Sequence, residues 1–369
     1  MKYYLLAGEA SGDLHGANLM KGLKQEDPRA EFRFLGGDLM LSEGGFLVKH
    51  YSDMAFMGFV EVVANLNTIL KNLKTTKKDI LTYNPDALIL IDFPGFNLKI
   101  AEFAKKNNIK VFYYISPKVW AWNQKRVLKI KKVVDKMFCI LPFEVDFYNS
   151  WGMEVEYVGN PLLDAIDDHR GDRDFKQKHD LSGKPLIALL PGSRVQEIKK
   201  LLPDMVQTAL RFPEYRFVVA GAPSFKKEFY TEFLSGQNLP VVFNATYDLL
   251  QNSEAAIVAS GTATLETALW HLPQVVVYKG NALTIAIARA LIKIKFISLV
   301  NLILNREAVK ELIQENCNPD KISAELQKLL HDPVYRSEML INYALLTELM
   351  GKPGASFKTA HLIYKELQK

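Results

Sequence analysis

The sequence is poor in cysteine and has no uninterrupted apolar run of membrane-spanning length. Its two cysteines, Cys139 and Cys317, both have apolar neighbours, which excludes a disulfide framework and a multi-cysteine metal site. The apolar stretch at residues 283–304 contains three basic residues. Each of these costs about 2.5–3.5 kcal/mol near a bilayer centre, so we predict a buried or interfacial helix there instead of a transmembrane one.

Charge imbalance, histidine clusters and familiar catalytic motifs are also lacking. The 46 Lys and Arg residues against 41 Asp and Glu leave a net charge of +5, too little over 369 residues to predict binding along a polyanion. The seven histidines lack zinc-site spacing, and no G-x-S-x-G anchors a hydrolase triad. Asp172 and Asp174 have an Asp-x-Asp spacing but lie in a charged connector, so no metal site is expected.

Two features predict a cytoplasmic protein. The low cysteine content suits a reducing compartment. The apolar run at residues 3–7 meets Gly8 at once, which makes it too short for the core of a signal peptide. That run predicts a first β-strand instead.

Apolar strand-like segments alternate with amphipathic stretches in both halves of the chain. In the first half they are KYYLLA, EFRFLG, ALILID, KVFYYIS, KMFCIL and VEYVG. After Pro185 they are LIALL, YRFVVAG, PVVFN, AAIVAS and QVVVYKG. This alternation is typical of βαβ units, so it predicts an α/β protein with two Rossmann-like, doubly wound parallel-sheet lobes.

A charged connector at residues 164–184 separates the two predicted lobes. We assign residues 1–165 to an N-terminal lobe and residues 166–354 to a C-terminal lobe. From residue 307 onward only helices are predicted. The last of them, at residues 355–369, is expected to pack back on the first lobe; packing on a second copy is the alternative and favours a homodimer.

Ligands of doubly wound sheets collect at the carboxyl ends of the strands, so the turns at those ends are the candidate sites. The first such turn contains Glu9, Ser11, Gly12 and Asp13 at the start of a helix. Its two carboxylates disfavour a phosphate, so we predict that it binds hydroxyl groups. A capped tight turn is the alternative.

Asp92 ends the apolar segment ALILID and precedes a sharp Pro94-Gly95 turn. Desolvation beside an apolar strand raises the pKa of a carboxyl group, which suits a general base that takes a proton from an alcohol. A helix cap is the alternative role for this residue.

A basic segment with two tryptophans follows the segment KVFYYIS. Trp120 and Trp122 lie beside Lys125 and Arg126, a combination typical of a membrane interface or a site for an anionic lipid headgroup. A solvated amphipathic helix with one packed tryptophan is the alternative. No nucleic-acid ligand is expected, because no recognition motif accompanies the patch.

Two turns of the second lobe suit anions. The first turn consists of Gly192, Ser193 and Arg194. The second consists of Ser260, Gly261, Thr262, Ala263 and, one turn into the following helix, Glu266. Helix amides and a forked guanidinium hold phosphate, and a carboxylate accepts sugar hydroxyls, so the pair of turns predicts a nucleotide diphosphate ligand.

Seven motifs occur in the order AGEASGD, MGFVEV, DFPGFN, YYISPKVWAW, LLPGSR, ASGTATLE and SLVNLIL. In this combination, over nearly the whole chain, the sequence resembles the lipid-A-disaccharide synthase family, inverting glycosyltransferases of family GT19. The resemblance implies a GT-B fold with two lobes facing a cleft. It implies UDP-2,3-diacylglucosamine as donor on the second lobe and 2,3-diacylglucosamine 1-phosphate as acceptor on the first. The implied products are UDP and a β-1,6-linked disaccharide 1-phosphate, formed without a metal or a bound cofactor.

The resemblance also implies roles for individual residues. Asp92 matches the general base, Arg194 the clamp on the leaving diphosphate, and Asn301 a polar residue of the donor site. The chain departs from many relatives at Gly95, where they have a second carboxylate, and at Asn123, where they have an arginine.

Acylated substrates imply a peripheral protein on the cytoplasmic face of the inner membrane. Phe56 and Met57, in an apolar stretch, are then expected to contact lipid beside the tryptophan and lysine patch. Two alternatives remain at this point: another GT-B enzyme that uses a UDP-amino sugar, as a transferase or an epimerase, and a noncatalytic lipid-binding protein. The second gives no reason for the arginine and serine turns of the second lobe.

Overall fold

The computed structural model describes residues 1–54, 66–234, 236–280 and 295–369. These residues form two compact units, Met1–Asp164 with Lys352–Lys369 and Ala165–Gly351. Each unit is built on its own parallel sheet with helices packed on it.

The first unit contains a seven-stranded sheet. Its strands are β1 Lys2–Ala7, β2 Glu31–Gly36, β3 Phe46–His50, β4 Ala87–Ile91, β5 Lys110–Tyr114, β6 Lys136–Cys139 and β7 Glu156–Tyr157. They lie in the order β3-β2-β1-β4-β5-β6-β7, and all neighbours are parallel. All five residues of the central strand β4 are buried, as a parallel sheet between helix layers requires.

Helices alternate with these strands. They are α1 Ala10–Glu26, α2 Asp38–Ser42, α3 Leu66–Tyr83, α4 Pro94–Lys106, α5 Val119–Trp122, α6 Val127–Val133, α7 Phe143–Ser150 and α8 Pro161–Asp168. Proline is the first residue of α4, where its fixed φ favours a helix start and its missing N–H leaves no bond unmade. In α8 the chain passes from the first unit to the second.

The second unit contains a six-stranded sheet. Its strands are β8 Leu186–Leu190, β9 Arg216–Gly221, β10 Val241–Phe243, β11 Ser253–Ala259, β12 Gln274–Tyr278 and β13 Lys310–Ile313. They lie in the order β10-β9-β8-β11-β12-β13, again with parallel neighbours.

Eight helices of the second unit are described, and the last two have clear N-terminal caps. They are α9 Phe175–Lys178, α10 Val195–Ala209, α11 Lys227–Thr231, α12 Thr246–Gln251, α13 Thr262–Leu269, α14 Leu299–Leu304, α15 Pro319–His331 and α16 Pro333–Met350. The side chains of Asn318 and Asp332 cap α15 and α16, and a proline follows each cap. Nowhere in the described residues is a helix both long enough and apolar enough to cross a bilayer.

In both sheets the strand order reverses between two neighbouring strands. These are β1 and β4 in the first unit and β8 and β11 in the second. Ligands of such sheets bind outside the carboxyl ends of the strands at this reversal. The turns after these four strands contain the predicted site residues Glu9 to Asp13, Asp92, Arg194 and Ser260.

One expectation about the end of the chain is wrong. Helices alone were expected from residue 307 onward, whereas β13 pairs with β12 at the edge of the second sheet. Its sequence KELI is short and charged, and the side chains of Lys310 and Glu311 are only partly buried. An edge strand buries little, so its sequence carries no strong strand signal.

The final helix, α17 Ala355–Leu367, packs on the first unit. Ala360 and Ile363 are fully buried in the same core cluster as Tyr3 of β1. A Cβ on Gly22 of α1 would lie 2.8 Å from the Cβ of Ala360, so the two helices approach as closely as a glycine allows. The predicted α/β class, with two Rossmann-like parallel sheets and a helical C-terminal segment, is confirmed.

Candidate active site

Asp92 follows β4 in an unusual backbone conformation. Its φ is +43° and that of Phe93 is +48°, both in the left-handed region that costs a non-glycine residue about 1–3 kcal/mol. Burial raises the pKa of the Asp92 carboxyl, while the nearby charge of Lys118 and the N–H of Phe93 oppose that rise. The result is a partly buried carboxylate at the carboxyl end of a central strand, as predicted.

The carbonyl oxygen of Asp92 accepts two side-chain hydrogen bonds. The hydroxyl of Tyr113 donates to it at 2.6 Å, and Asn97 Nδ2 donates at 2.8 Å. The N–H of Asp92 donates to the carbonyl of Tyr114 at 3.2 Å. Both main-chain groups of this residue therefore have hydrogen-bond partners.

The β1–α1 turn packs directly on the Asp92 turn. A Cβ on Gly8 would overlap the aromatic ring of Phe93, so only glycine lets that ring lie there. In the same turn Ser11 is exposed, Glu9 is partly exposed and Gly12 is buried against Ala7.

Asp13, in the first turn of α1, is bonded to the main chain around α2. It is 3% exposed, and its carboxylate accepts hydrogen bonds from the main-chain N–H groups of Gly37, Leu39 and Met40 at 2.7–3.1 Å. It therefore satisfies the free amides at the start of α2.

Trp120 of the predicted lipid patch is mostly buried in the first unit. The side chain is 8% exposed, packs edge-on against Phe143 with ring centroids 5.0 Å apart, and donates its indole N–H to Glu144 Oε1 at 3.1 Å. Glu144 is 1% exposed, and burial raises the pKa of its carboxyl to about 7. Lys125 is exposed, as a surface contact requires.

Of the remaining members of the predicted lipid patch, the structure describes the side chain of Arg126. Arg126 is partly exposed and contributes a charge near Tyr113. Phe56, Met57 and the side chain of Trp122 lie outside the described residues.

In the second unit a carboxylate occupies the predicted anion turn. Gly192 has a φ of +105°, which favours glycine. Glu197, in the first turn of α10, accepts the N–H of Ser193 at 3.2 Å and pairs with Arg194 Nη1 at 3.1 Å. The Arg194 side chain is 63% exposed. The Ser193 amide and the Arg194 guanidinium are thus both paired with the Glu197 carboxylate.

The turn after β11 exposes Gly261 and Thr262, while Ala263 packs against the core. Ser260 is partly exposed, and its hydroxyl donates to the carbonyl of Ile297 at 3.1 Å. Gly261 and Thr262 therefore remain open to a ligand at the carboxyl end of β11.

Glu266 lies in α13 behind this turn, against aromatic side chains. Its carboxylate accepts a hydrogen bond from the hydroxyl of Tyr247 at 2.9 Å, and burial raises its pKa. Tyr247, His169 and Trp270 have ring centroids 5.5–5.6 Å apart. This environment holds the carboxylate in a fixed orientation as a hydrogen-bond acceptor.

Asn301, predicted for the donor site, is hydrogen-bonded within the second unit. The residue is fully buried in α14. Its Nδ2 donates to Val309 O and Glu311 Oε1, each at 2.9 Å, and its Oδ1 accepts the N–H groups of Ala308 and Val309 at 2.7 and 2.9 Å. All four hydrogen-bonding positions of the amide are used to hold the segment before β13.

The sequence pattern did not single out four polar residues that bond to predicted site residues. Tyr113 bonds Asp92, Glu144 bonds Trp120, Glu197 bonds Arg194 and Tyr247 bonds Glu266. A signal existed only for Glu197, which lies three residues after Arg194 at the spacing of a helical ion pair.

The Asp-x-Asp sequence of the connector has a structural role. Asp172 pairs with Lys178 at 2.7 Å, and its carboxylate accepts the N–H of Asp174 at 3.0 Å. In the described part of the chain, no three histidine, cysteine or acidic side chains are grouped as metal ligands.

Comparison with known proteins gives full-length matches. Residues 3–350 match the family model described as lipid-A-disaccharide synthetase. The chain is 37% identical to the lipid-A-disaccharide synthase of Geobacter sulfurreducens, with 99% of this chain and 97% of that protein covered. It is 39% identical to the lipid-A-disaccharide synthase of Syntrophus aciditrophicus, with the same shares covered.

Solved structures with low sequence identity share the fold. The S. aureus MnaA-UDP co-structure is 14% identical with a TM-score of 0.70, covering 100% of this chain and 97% of that one. UDP-GlcNAc 2-epimerase from Neisseria meningitidis bound to UDP-GlcNAc is 12% identical with a TM-score of 0.67, covering 100% of both chains. These likenesses confirm the predicted GT-B fold class.

Proposed function

Because the chain belongs to the lipid-A-disaccharide synthase family, we propose that it joins UDP-2,3-diacylglucosamine to 2,3-diacylglucosamine 1-phosphate. The products are the β-1,6-linked disaccharide 1-phosphate and UDP. The observation that carries this proposal is the family match over residues 3–350, supported by 37–39% identity to named relatives over nearly the full length.

Asp92 is the proposed general base. In the transfer, the 6-hydroxyl oxygen of the acceptor bonds to the anomeric carbon of the donor, and the bond from that carbon to the diphosphate oxygen breaks. Asp92 takes the hydroxyl proton, and UDP keeps the electron pair of the broken bond. The raised pKa of this carboxyl makes it a better base than an exposed aspartate, provided that it is ionised.

Arg194 is the proposed clamp on the leaving diphosphate. Its guanidinium is exposed and paired with Glu197, so exchange of that carboxylate for diphosphate oxygens keeps it neutralised. Gly192 and Ser193 supply main-chain contacts in the same turn. A guanidinium whose interaction grows as charge develops on the diphosphate lowers the barrier to its departure.

The rest of the donor site is assigned to the turn after β11 and to the helix that follows it. Ser260, Gly261, Thr262 and Ala263 are proposed to surround the nucleotide. Glu266, oriented by Tyr247, is proposed to accept sugar hydroxyls. In the first unit, the turn of Glu9, Ser11 and Gly12 is proposed to bind the acceptor, because it packs on the Asp92 turn through Gly8.

Acylated substrates are held in membranes, so the enzyme is expected to meet them at a membrane surface. We propose that the protein associates peripherally with the cytoplasmic face of the inner membrane. Lys125 and Arg126 would meet anionic headgroups there, and Phe56 and Met57 would enter the apolar layer. A homodimer is the proposed assembly.

The transferase assignment is tested by measuring UDP release in detergent micelles from UDP-2,3-diacylglucosamine, with and without the acceptor. Release that requires acceptor and matches the disaccharide phosphate formed is the expected result. Release without acceptor would favour a hydrolase or an epimerase and contradict the proposal.

Variants then test the assigned groups. Asp92→Asn is expected to lower kcat at least about 1,000-fold with UDP binding kept, since the amide cannot take the proton. Arg194→Ala is expected to lower kcat about 100-fold or more. Asp86→Asn, an exposed aspartate just before β4 at its opposite end, is the matched control and should stay near wild type. A near-normal rate for Asp92→Asn would refute the base assignment.

A further inference from the structure

Two adjacent tyrosines of β5 form a matched pair. Tyr113 and Tyr114 are both fully buried, and they lie in the core clusters on opposite faces of the first sheet. Each hydroxyl has a polar neighbour from a distant part of the sequence. That of Tyr113 donates to the Asp92 carbonyl at 2.6 Å, and that of Tyr114 lies 3.1 Å from the hydroxyl of Ser356 in α17.

The carbonyl that Tyr113 reaches belongs to a strained turn. Asp92 and Phe93 are two consecutive non-glycine residues with positive φ, and such conformations persist only where the surroundings hold them. Without external bonds, this turn is expected to relax and carry the Asp92 side chain with it.

Two side chains donate hydrogen bonds to this turn. Tyr113 and Asn97 both donate to the Asp92 carbonyl oxygen, at 2.6 and 2.8 Å. Asn97 Nδ2 is also 3.3–3.4 Å from the carbonyls of Leu6 and Ile91, so its hydrogens are shared among three acceptors. The shorter and undivided bond is the one from Tyr113.

We propose that Tyr113 is a positioning residue: its hydroxyl bond to the Asp92 carbonyl holds the strained turn in the conformation that directs the Asp92 carboxylate at the acceptor hydroxyl. Asn97 is the second donor to the same oxygen, and its hydrogen bond is the weaker one. In this role Tyr113 acts through the main chain, by donating its hydroxyl hydrogen to the Asp92 carbonyl oxygen. The inference rests on the proposed function of Asp92 as the base.

The experiment compares Tyr113→Phe with Tyr114→Phe. Each variant removes one hydroxyl from a fully buried ring on the same strand, so both carry a similar cost in stability. Tyr113→Phe is expected to lower kcat about 10- to 100-fold, with the Kd for UDP changed less than twofold. Tyr114→Phe is expected to change kcat less than about threefold. Equal losses of kcat in the two variants would mean a merely structural role and overturn the proposal.

A second measurement separates this inference from the base assignment. In an Asp92→Asn background, Tyr113→Phe is expected to cause no further loss, because the group that it positions is gone. A crystal structure of Tyr113→Phe is expected to show Asp92 or Phe93 leaving the left-handed region. An unchanged turn together with an unchanged kcat refutes the positioning role. If both Asp92→Asn and Tyr113→Phe keep full activity, the base assignment itself is refuted.

Discussion

The buried Glu144 carboxyl predicts a specific loss of stability with rising pH. Its pKa rises from an ordinary 4.5 to about 7 because burial penalises the ionised form. Between these two values the unfolded chain releases the proton and the folded chain keeps it. Stability from this group is therefore fully present below pH 4.5 and is lost as pH rises to about 7. At 1.36 kcal/mol per pH unit, the loss amounts to about 3 kcal/mol.

Glu144→Gln isolates this contribution, since glutamine is neutral at every pH. Its carbonyl can still accept the indole N–H of Trp120, while its amide cannot accept the main-chain N–H of Leu141 that the second carboxylate oxygen now receives. That lost bond lowers stability by about 1 kcal/mol at all pH values. The two proteins are thus expected to be about equally stable at pH 5, and the wild type is expected to be the less stable one at pH 8.

Urea unfolding at several pH values between 4.5 and 8 measures the effect. Tryptophan fluorescence reports mainly on the first unit, which contains Trp120, Trp122 and Trp151. The stability of wild type minus that of Glu144→Gln is expected to fall by about 3 kcal/mol across the range. The exposed Glu154→Gln is the control and should give a flat difference. A flat difference for Glu144→Gln as well would refute the argument that burial keeps this carboxyl protonated.

Two further predictions follow from close contacts. Glu197→Gln is expected to tighten UDP binding by about threefold to tenfold in calorimetry, because a negative charge no longer competes for Arg194; weaker binding would show that the carboxylate orients the guanidinium instead. Gly22→Ala is expected to lower the Tm by several degrees, because the new Cβ meets Ala360 at 2.8 Å and the overpacking costs about 1–3 kcal/mol. Gly95→Ala, which meets nothing within 4 Å, is the control and should keep or raise the Tm.

The central strands could be predicted from the sequence, and two edge strands could not. β4 and β8 are apolar throughout because both of their faces are buried, so their composition alone identifies them. β3 and β13 lie at sheet edges and are mostly half-buried, so FLVKH and KELI lack a continuous apolar run. Their place depends on pairing with a neighbour, which a local pattern does not encode.

For the candidate site, the sequence predicts which residues lie at the strand ends better than it predicts the hydrogen-bond partners of their side chains. Asp13 and Asn301 are polar residues of the kind that binds ligands, yet each is hydrogen-bonded to main-chain groups of its own unit. Tyr113 and Glu144 gave no signal, because their partners are 21 and 24 residues away in sequence. Such pairs exist only after the sheet has brought distant strands together.

The position of α17 sets an order of assembly during synthesis. The seven strands of the first sheet are complete by Tyr157, yet the helix that covers one of its faces begins at Ala355. From residue 164 to residue 352 the ribosome adds 188 residues, all in the second unit or at its end. At about 5–20 residues per second this takes roughly 10–40 s. For that interval the nascent first unit displays the apolar surface around Tyr3 and Met20 that Ala360 and Ile363 later bury. The second unit therefore has time to fold before the first unit is complete. The core of the first unit is covered on this face only when the thirteen residues of α17 have been added.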